Sequence, residues 1–145
     1  VEAPTALFRQ FGQTLAFAER TLTATLREHL APRGVVPETW YALQLLGTRG
    51  PGYSRQALIA DLDGSRSLDS GSAAEVVVRV EAEGLIRGDE RLDLTAEGDA
   101  LYRGLREYVA AATFRLLSQF DAGDVETTIR TLRAITERAA EEAGA

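Results

Sequence analysis

Apolar residues recur three and four apart along most of the chain, and a different rhythm lies between residues 84 and 95. Leu7, Phe11, Leu15, Ala18, Leu22, Leu26 and Leu30 trace a stripe that predicts a first helix over about Thr5 to Leu30, ended by Pro32 and Gly34. Pro37 suits a first helical turn, and Trp40, Leu43, Leu45 and Leu46 follow it up to the Gly50-Pro51-Gly52 stop. Ser54 can cap a short third helix with Leu58, Ile59 and Leu62 facing in. From Ser72 to Glu83 the positions Ala73, Val76, Val77 and Val80 share one helical face, and Gly84 supplies a left-handed exit. Alternation then replaces helical spacing. Leu85 to Arg87 and Arg91 to Leu94 read as two strands around a Gly88-Asp89-Glu90 turn, and Thr95 is placed to cap the next helix. That helix, about Ala96 to Phe120, aligns Leu101, Leu105, Tyr108, Ala112 and Leu116 on one line. Asp121 begins a last amphipathic helix with Val125, Ile129, Leu132 and Ile135 as its seam.

A helix, a glycine stop, a short two-stranded ribbon and a capped helix start, in that order, describe a winged helix. The expected fold is mainly α: a winged helix-turn-helix with a small two-stranded wing and long terminal helices. Residues 1 to 145 are read as one domain, with a winged lobe over about 37–95 and dimerisation helices over about 5–30 and 96–142. The terminal stripes need a partner. An intramolecular bundle is one solution, but the middle of the chain already forms its own compact core, which favours a homodimer.

Composition removes several classes of function. There is no cysteine and one histidine, so disulfides, iron-sulfur clusters and thiol sensing are excluded, and a metal site of soft ligands has no donors. No apolar run approaches the ~20 residues that cross a bilayer, and no signal-peptide core opens the sequence, so the chain is read as cytoplasmic with no membrane partner. No nucleophile elbow, Gly-rich phosphate loop or metal-ligand cluster appears, and the reading is of a non-enzyme without cofactor.

The segments Leu68-Asp69-Ser70-Gly71, Gly84-Leu85-Ile86 and Leu94-Thr95-Ala96-Glu97-Gly98 resemble the MarR family of bacterial transcription regulators, and the order of elements extends that resemblance over nearly the whole chain. The resemblance implies a dimer on double-stranded DNA, with the second helix of the helix-turn-helix entering the major groove. Ser70, Gly71, Ser72, Ala74, Glu75 and Arg79 are then candidates for phosphates and base edges. Ser54, Arg55 and Gln56 would fix register on phosphate, and Arg87 and Arg91 flank the wing tip. Asp89-Glu90-Arg91 preserves the family's Asp-x-Arg spacing, in which the aspartate orients the arginine. Helix capping is the alternative role for Ser54 and Ser70, and a solvated hairpin charge for Arg91. The family also implies a crevice for a small aromatic or anionic ligand, with His29, Trp40, Tyr41 and Tyr102 as candidates. Core packing is the alternative for Trp40, and a helix C-terminal charge for His29.

Two departures and one charge count separate the chain from that pattern. Only eight residues lie between Leu85 and Leu94, a shortened wing, and Asp63-Gly64-Ser65-Arg66 lengthens the turn before the recognition helix. Asp63 to Arg91 holds seven acidic residues against four arginines, within a chain of net charge −6. Counterion release supplies much of nucleic-acid affinity, so binding is expected to be modest and salt-sensitive. The sequence reading is therefore a DNA-binding transcriptional regulator, a repressor modulated by a small ligand. The competing reading is a winged scaffold that has lost DNA binding and serves as a ligand-binding or protein-interaction module.

Overall fold

The computed structural model describes residues 2–63 and 72–144. In chain order the elements are α1 (Glu2–Leu30), a single 3-10 turn (Ala31–Arg33), α2 (Pro37–Arg49), β1 (Tyr53–Ser54), α3 (Arg55–Asp63), α4 (Ala73–Ala82), β2 (Ile86–Gly88), β3 (Arg91–Leu94), α5 (Ala96–Leu117) and α6 (Ala122–Gly144). They group into two compact units, residues 1–109 and 110–145, with α5 running through the boundary. Leu68-Asp69-Ser70-Gly71 and the lengthened turn at Gly64 to Arg66 lie outside the described residues.

The first unit has a core in two parts. Ala42, Leu46, Leu58, Leu62, Ala73, Val76, Val77, Val80, Ile86 and Leu92 close α2, α3 and α4 onto the sheet. Leu30, Val35, Trp40, Leu43, Tyr102 and Leu105 join the end of α1 and the start of α5 to the opposite side of α2. The four α4 positions expected to face inward are all buried, because about 100° of rotation per residue puts 73, 76, 77 and 80 within one third of the helix circumference.

The sheet has three strands rather than two, in the order β1-β3-β2, all antiparallel. Tyr53 and Ser54 pair with Leu92 and Arg91, so the residues just before α3 become an edge of the wing. Periodicity could not reveal this strand because two residues have no period. Ser54 also caps α3, its Oγ accepting from the Ala57 N–H at 3.3 Å.

Two glycines fix the passage from α4 through the wing to α5. Gly84 adopts φ +77°, the left-handed exit from α4 that a side chain disfavours. The Thr95 N–H donates to the Leu85 carbonyl at 3.0 Å, its hydroxyl donates to the Gly84 carbonyl at 2.6 Å, and the same hydroxyl accepts from the Gly98 N–H at 3.0 Å. This draws the first turn of α5 against residues 84 and 85. A β-carbon at Gly98 would lie 2.8 Å from the Leu85 carbonyl carbon and overlap its oxygen, which explains the glycine four residues after Leu94.

Several elements differ from the sequence expectation. α5 stops at Leu117 instead of Phe120, where bonds from Gln119 to Leu116 and from Phe120 to Leu117 tighten its last turn. Of the line expected on that helix, Leu105 is buried, Tyr108 and Ala112 are half-buried, and Leu116 is exposed. The second unit leaves Phe114, Phe120, Ile129 and Ile135 exposed, and in the first unit α1 leaves Leu7, Phe8, Phe11, Leu15, Phe17 and Leu22 exposed. Asp121 caps α6, accepting from the Asp124 N–H at 3.0 Å.

Candidate nucleic-acid interface

α4 is held on both flanks by ion pairs, and these decide what its outer face contains. On one flank Glu81 receives the fork of Arg55 from the start of α3, Nη1 to Oε1 at 2.7 Å and Nη2 to Oε2 at 2.8 Å. The same guanidinium donates from Nε to the Asp89 carbonyl at 2.6 Å and from Nη2 to the Gly88 carbonyl at 3.3 Å. Arg55 thus ties α3, α4 and the wing turn together. Hydrogen bonding to Glu81 raises the Arg55 pKa, and the reciprocal bond holds the Glu81 carboxyl below the usual glutamate value, in both cases against the opposing effect of desolvation. On the other flank Arg79 reaches Glu38 of α2 at 4.0 Å, a carboxylate almost wholly enclosed.

Two arginines of the expected DNA-contact set are engaged with carboxylates of the protein itself. Arg55 was expected on phosphate, yet its fork is taken up inside the protein. Arg79 was expected to point toward the groove, yet it lies on the flank of the helix, about 110° from the centre of the buried face, with Nη2 4.0 Å from Glu38. A bidentate carboxylate competes for the geometry that a phosphate would use. The missed signal was the acidic partners: Glu81 and Glu38 stand on neighbouring elements, and no sequence spacing relates them to arginines 26 and 41 residues away.

The outer face of α4 is small and nearly uncharged. Ala74, Glu75, Val78 and Ala82 are exposed, Val78 at 61% of its surface. Ser72 is the N-cap, accepting from the Glu75 N–H at 3.2 Å, while its hydroxyl lies 3.3 Å from Glu75 Oε1. Ser72 therefore caps α4 through the Glu75 N–H, at the Ser-x-x-Glu spacing typical of helix starts, and its hydroxyl touches the Glu75 carboxylate. Val78 was passed over in the sequence reading. Its position, about 200° around the helix from Val76, sets it opposite the buried stripe.

At the wing, Arg87 is exposed across from Asp93 in the β2–β3 register. Arg91 is exposed and donates from Nη1 to the Gly52 carbonyl at 3.1 Å, and among the described residues no ion pair joins it to Asp89. The expected Asp-x-Arg pairing is replaced because the Asp89 carbonyl faces Arg55 and Arg91 leans over the β1 edge. Gln56 is exposed at the start of α3, and Ser54, Arg55, Gln56, Asp89, Glu90 and Arg91 line a shallow depression of about 390 Å³. Ser70 lies outside the described residues.

The four residues expected to line a ligand crevice are distributed differently. Trp40 is 4% exposed and packs against Tyr102, ring centroids 6.0 Å apart, with Tyr102 seated on Gly47. Tyr41 is half-buried between the two parts of the core. His29 stacks on Tyr108 at 3.9 Å, its Nε2 donating to the Tyr108 carbonyl at 3.0 Å, while the Tyr108 hydroxyl donates to the His29 carbonyl at 2.7 Å. None of the four is among the residues lining the neighbouring cleft of about 490 Å³, whose walls include Arg33, Val36, Thr39, Arg79, Leu85 and Leu101.

A recognition-type helix over a capped turn, a three-stranded wing and a long helix leaving that wing match known structures over most of their length. A MarR transcriptional regulator from Methanosarcina mazei Go1 superposes with a TM-score of 0.71 at 20% identity, covering 90% of this chain and 95% of that one. The fold is that of a MarR-like winged helix. The Mycobacterium tuberculosis MarR family protein Rv2887, solved in complex with DNA, matches with a TM-score of 0.64 at 25% identity over 86% of this chain and 95% of its own. Rv2887 in complex with p-aminosalicylic acid gives 0.66 at 22% identity over 86% and 97%. No family model and no curated protein matches the chain. Among the described residues no helix is long and apolar enough to cross a membrane, and no cluster of side chains is arranged to hold a metal ion.

Proposed function

We propose that the protein is a DNA-binding transcriptional regulator that acts as a homodimer and responds to a small aromatic or anionic molecule. The observation that carries this reading is the unobstructed outer face of α4 beside a structured wing, on a fold shared with a regulator solved on DNA. Arg87 and Arg91 are the wing cations for phosphate, with Gln56 and the α4 cap nearest in the chain to the groove-facing turn. Exposed apolar residues along α1, and separately along α6, supply surface that a second copy covers, since an apolar stripe of that length is uncommon on a monomer. Two copies give two recognition helices, and the operator is then a pseudo-palindrome. Repression by occlusion of a promoter and a cytoplasmic location complete the reading.

The cleft walled by Arg33, Val36, Thr39 and Leu101 is the place for an effector, with Arg33 as the carboxylate partner and apolar walls for a ring. Its volume falls in the range of small-molecule sites. The solution of Rv2887 with p-aminosalicylic acid supports this ligand class. Trp40 follows Thr39 in the chain and reports on the cleft by fluorescence.

The cation-poor face of α4 favours one other reading, an interaction module that no longer binds DNA. Fluorescence anisotropy at low salt separates the two: the regulator prefers a fragment of its own promoter region over random duplex, and Arg91→Ala lowers the salt slope by about one. Equal weak binding to all duplexes, unchanged by Arg87→Ala and Arg91→Ala, would sink the regulator. Light scattering that gives one chain's mass at micromolar concentration would sink the dimer.

A further inference from the structure

The ion pairs that flank α4 leave an outer face with an unusual property: among Ala74, Glu75, Val78 and Ala82 no side chain carries a hydrogen-bond donor. Among the described residues the hydroxyl beside this face, on Ser72, is taken up by the Glu75 N–H and carboxylate. Among the described residues the cations on or beside this helix are Arg55, whose fork is held by Glu81, and Arg79, whose Nη2 lies 4.0 Å from Glu38. Such a face has no group to satisfy O6 and N7 of guanine or N7 of adenine, which are read by arginine, lysine, asparagine or glutamine. It does have what thymine and cytosine need. An exposed branched side chain and an alanine one turn earlier meet C5-methyl groups, and a carboxylate accepts from the cytosine amino group.

Resting on the regulator reading above, we infer that α4 reads pyrimidines, with Val78 and Ala74 packed against thymine methyl groups and Glu75 facing a cytosine amino group. Val78 is the specificity-determining residue of this set, because it is the largest apolar side chain on the exposed face. Glu75 contributes by exclusion as well. A carboxylate set against the acceptor edge of guanine is repelled, so a guanine at that step is rejected. Scarcity of cations sharpens the result: with few phosphates neutralised, the sequence-independent part of the affinity is small and apolar base contacts form a larger share of the whole.

The test begins with selection of binding duplexes from a random library by the full-length dimer at low salt, followed by anisotropy on the selected duplex. Each thymine of a half-site is then replaced by deoxyuridine, which removes the methyl group alone. At one thymine per half-site wild-type affinity is expected to fall about fourfold for each methyl removed, and about fifteenfold when both half-sites are changed. Val78→Ala, a surface substitution that leaves the fold intact, is expected to bind the thymine and deoxyuridine duplexes alike. Sequence-specific binding that is indifferent to deoxyuridine at every position overturns this inference and leaves the regulator standing. A deoxyuridine penalty that persists in Val78→Ala overturns the assignment to Val78. Selection that enriches no sequence overturns the inference together with the regulator reading.

Discussion

Removing the Arg55 side chain distinguishes a structural fastening from a DNA contact, and the two roles predict different measurements. Arg55 makes two charge-assisted bonds to Glu81 and two to wing carbonyls, and the pair is about a quarter exposed, 26% for Arg55 and 28% for Glu81. Fully exposed pairs couple by less than about 1 kcal/mol, whereas breaking a buried one costs about 3 to 5 kcal/mol. The geometry here lies between those limits, so a coupling of about 1.5 kcal/mol is expected from a cycle of Arg55→Met, Glu81→Gln and the double variant. Arg55→Met alone loses the carbonyl bonds as well and should cost about 2 kcal/mol. At roughly 2 to 4 °C per kcal/mol for a chain of this size, that lowers Tm by about 4 to 8 °C at fixed protein concentration. The pH dependence has a definite sign. Glu81 has a depressed pKa in the folded protein, so its contribution is complete above the ordinary glutamate pKa and is lost as pH falls through the folded value. The raised pKa of Arg55 gives a contribution that is complete throughout the accessible pH range and is lost only at extreme alkaline pH, so it adds no pH dependence to the melts. Urea melts of the four proteins at pH 7 and in acid should therefore show the coupling vanish in acid. A coupling under about 0.5 kcal/mol at pH 7, or one unaltered in acid, refutes the fastening. If Arg55 instead binds phosphate, Arg55→Met reduces the salt slope of DNA binding by about one, and the fastening predicts an unchanged slope.

Gly98→Ala drives a β-carbon into the Leu85 carbonyl, backbone against backbone, and should cost more than about 2 kcal/mol in a chemical melt, compared with a gain at an unconstrained helical glycine. A stabilised Gly98→Ala protein would show that α5 does not pack on residue 85 as described. Gly47→Ala places a β-carbon 2.9 Å from Tyr102 Cδ2 and nearer still to the ring edge, so a loss of about 1 to 3 kcal/mol and a shift in Trp40 emission are expected together. Ser72→Ala removes the α4 cap and should cost about 1 kcal/mol, with Ser72→Asp restoring most of it; equal stability of all three would show the cap to be inert.

The repetitive parts of this fold were legible because burial imposes a period. Ala73, Val76, Val77 and Val80 were assigned to the core from spacing alone, and all four are buried. Thr95 and Asp121 were assigned as caps from residue type and position, and both accept the expected N–H. The expected MarR-like winged helix is the fold observed, whereas the third strand of the wing was too short to carry a pattern.

The site was less legible, for a physical reason visible in the arginines. Hydrophobic periodicity reports which side of a helix meets the core, but an arginine at the margin of that side can turn either to solvent or to a carboxylate on another element. Glu38 and Glu81 determine that choice, and their nearness to Arg79 and Arg55 is a product of α2 and α3 packing against α4 rather than of spacing along the chain. The acidic excess counted from Asp63 to Arg91 is therefore partly internal: Glu81 is neutralised by Arg55 from outside that segment, while Arg79 is spent on Glu38, also outside it. The two exchanges leave the net charge near the helix unchanged and alter its distribution. Positive charge remains at the wing on Arg87 and Arg91, and the centre of the recognition helix presents carbon and one carboxylate. If this helix enters a DNA groove as proposed, a face of that composition gains little from phosphate attraction and discriminates by shape and methyl contact, so Val78, the residue that periodicity assigns to neither core nor charge, is the one whose substitution tests the proposal most directly.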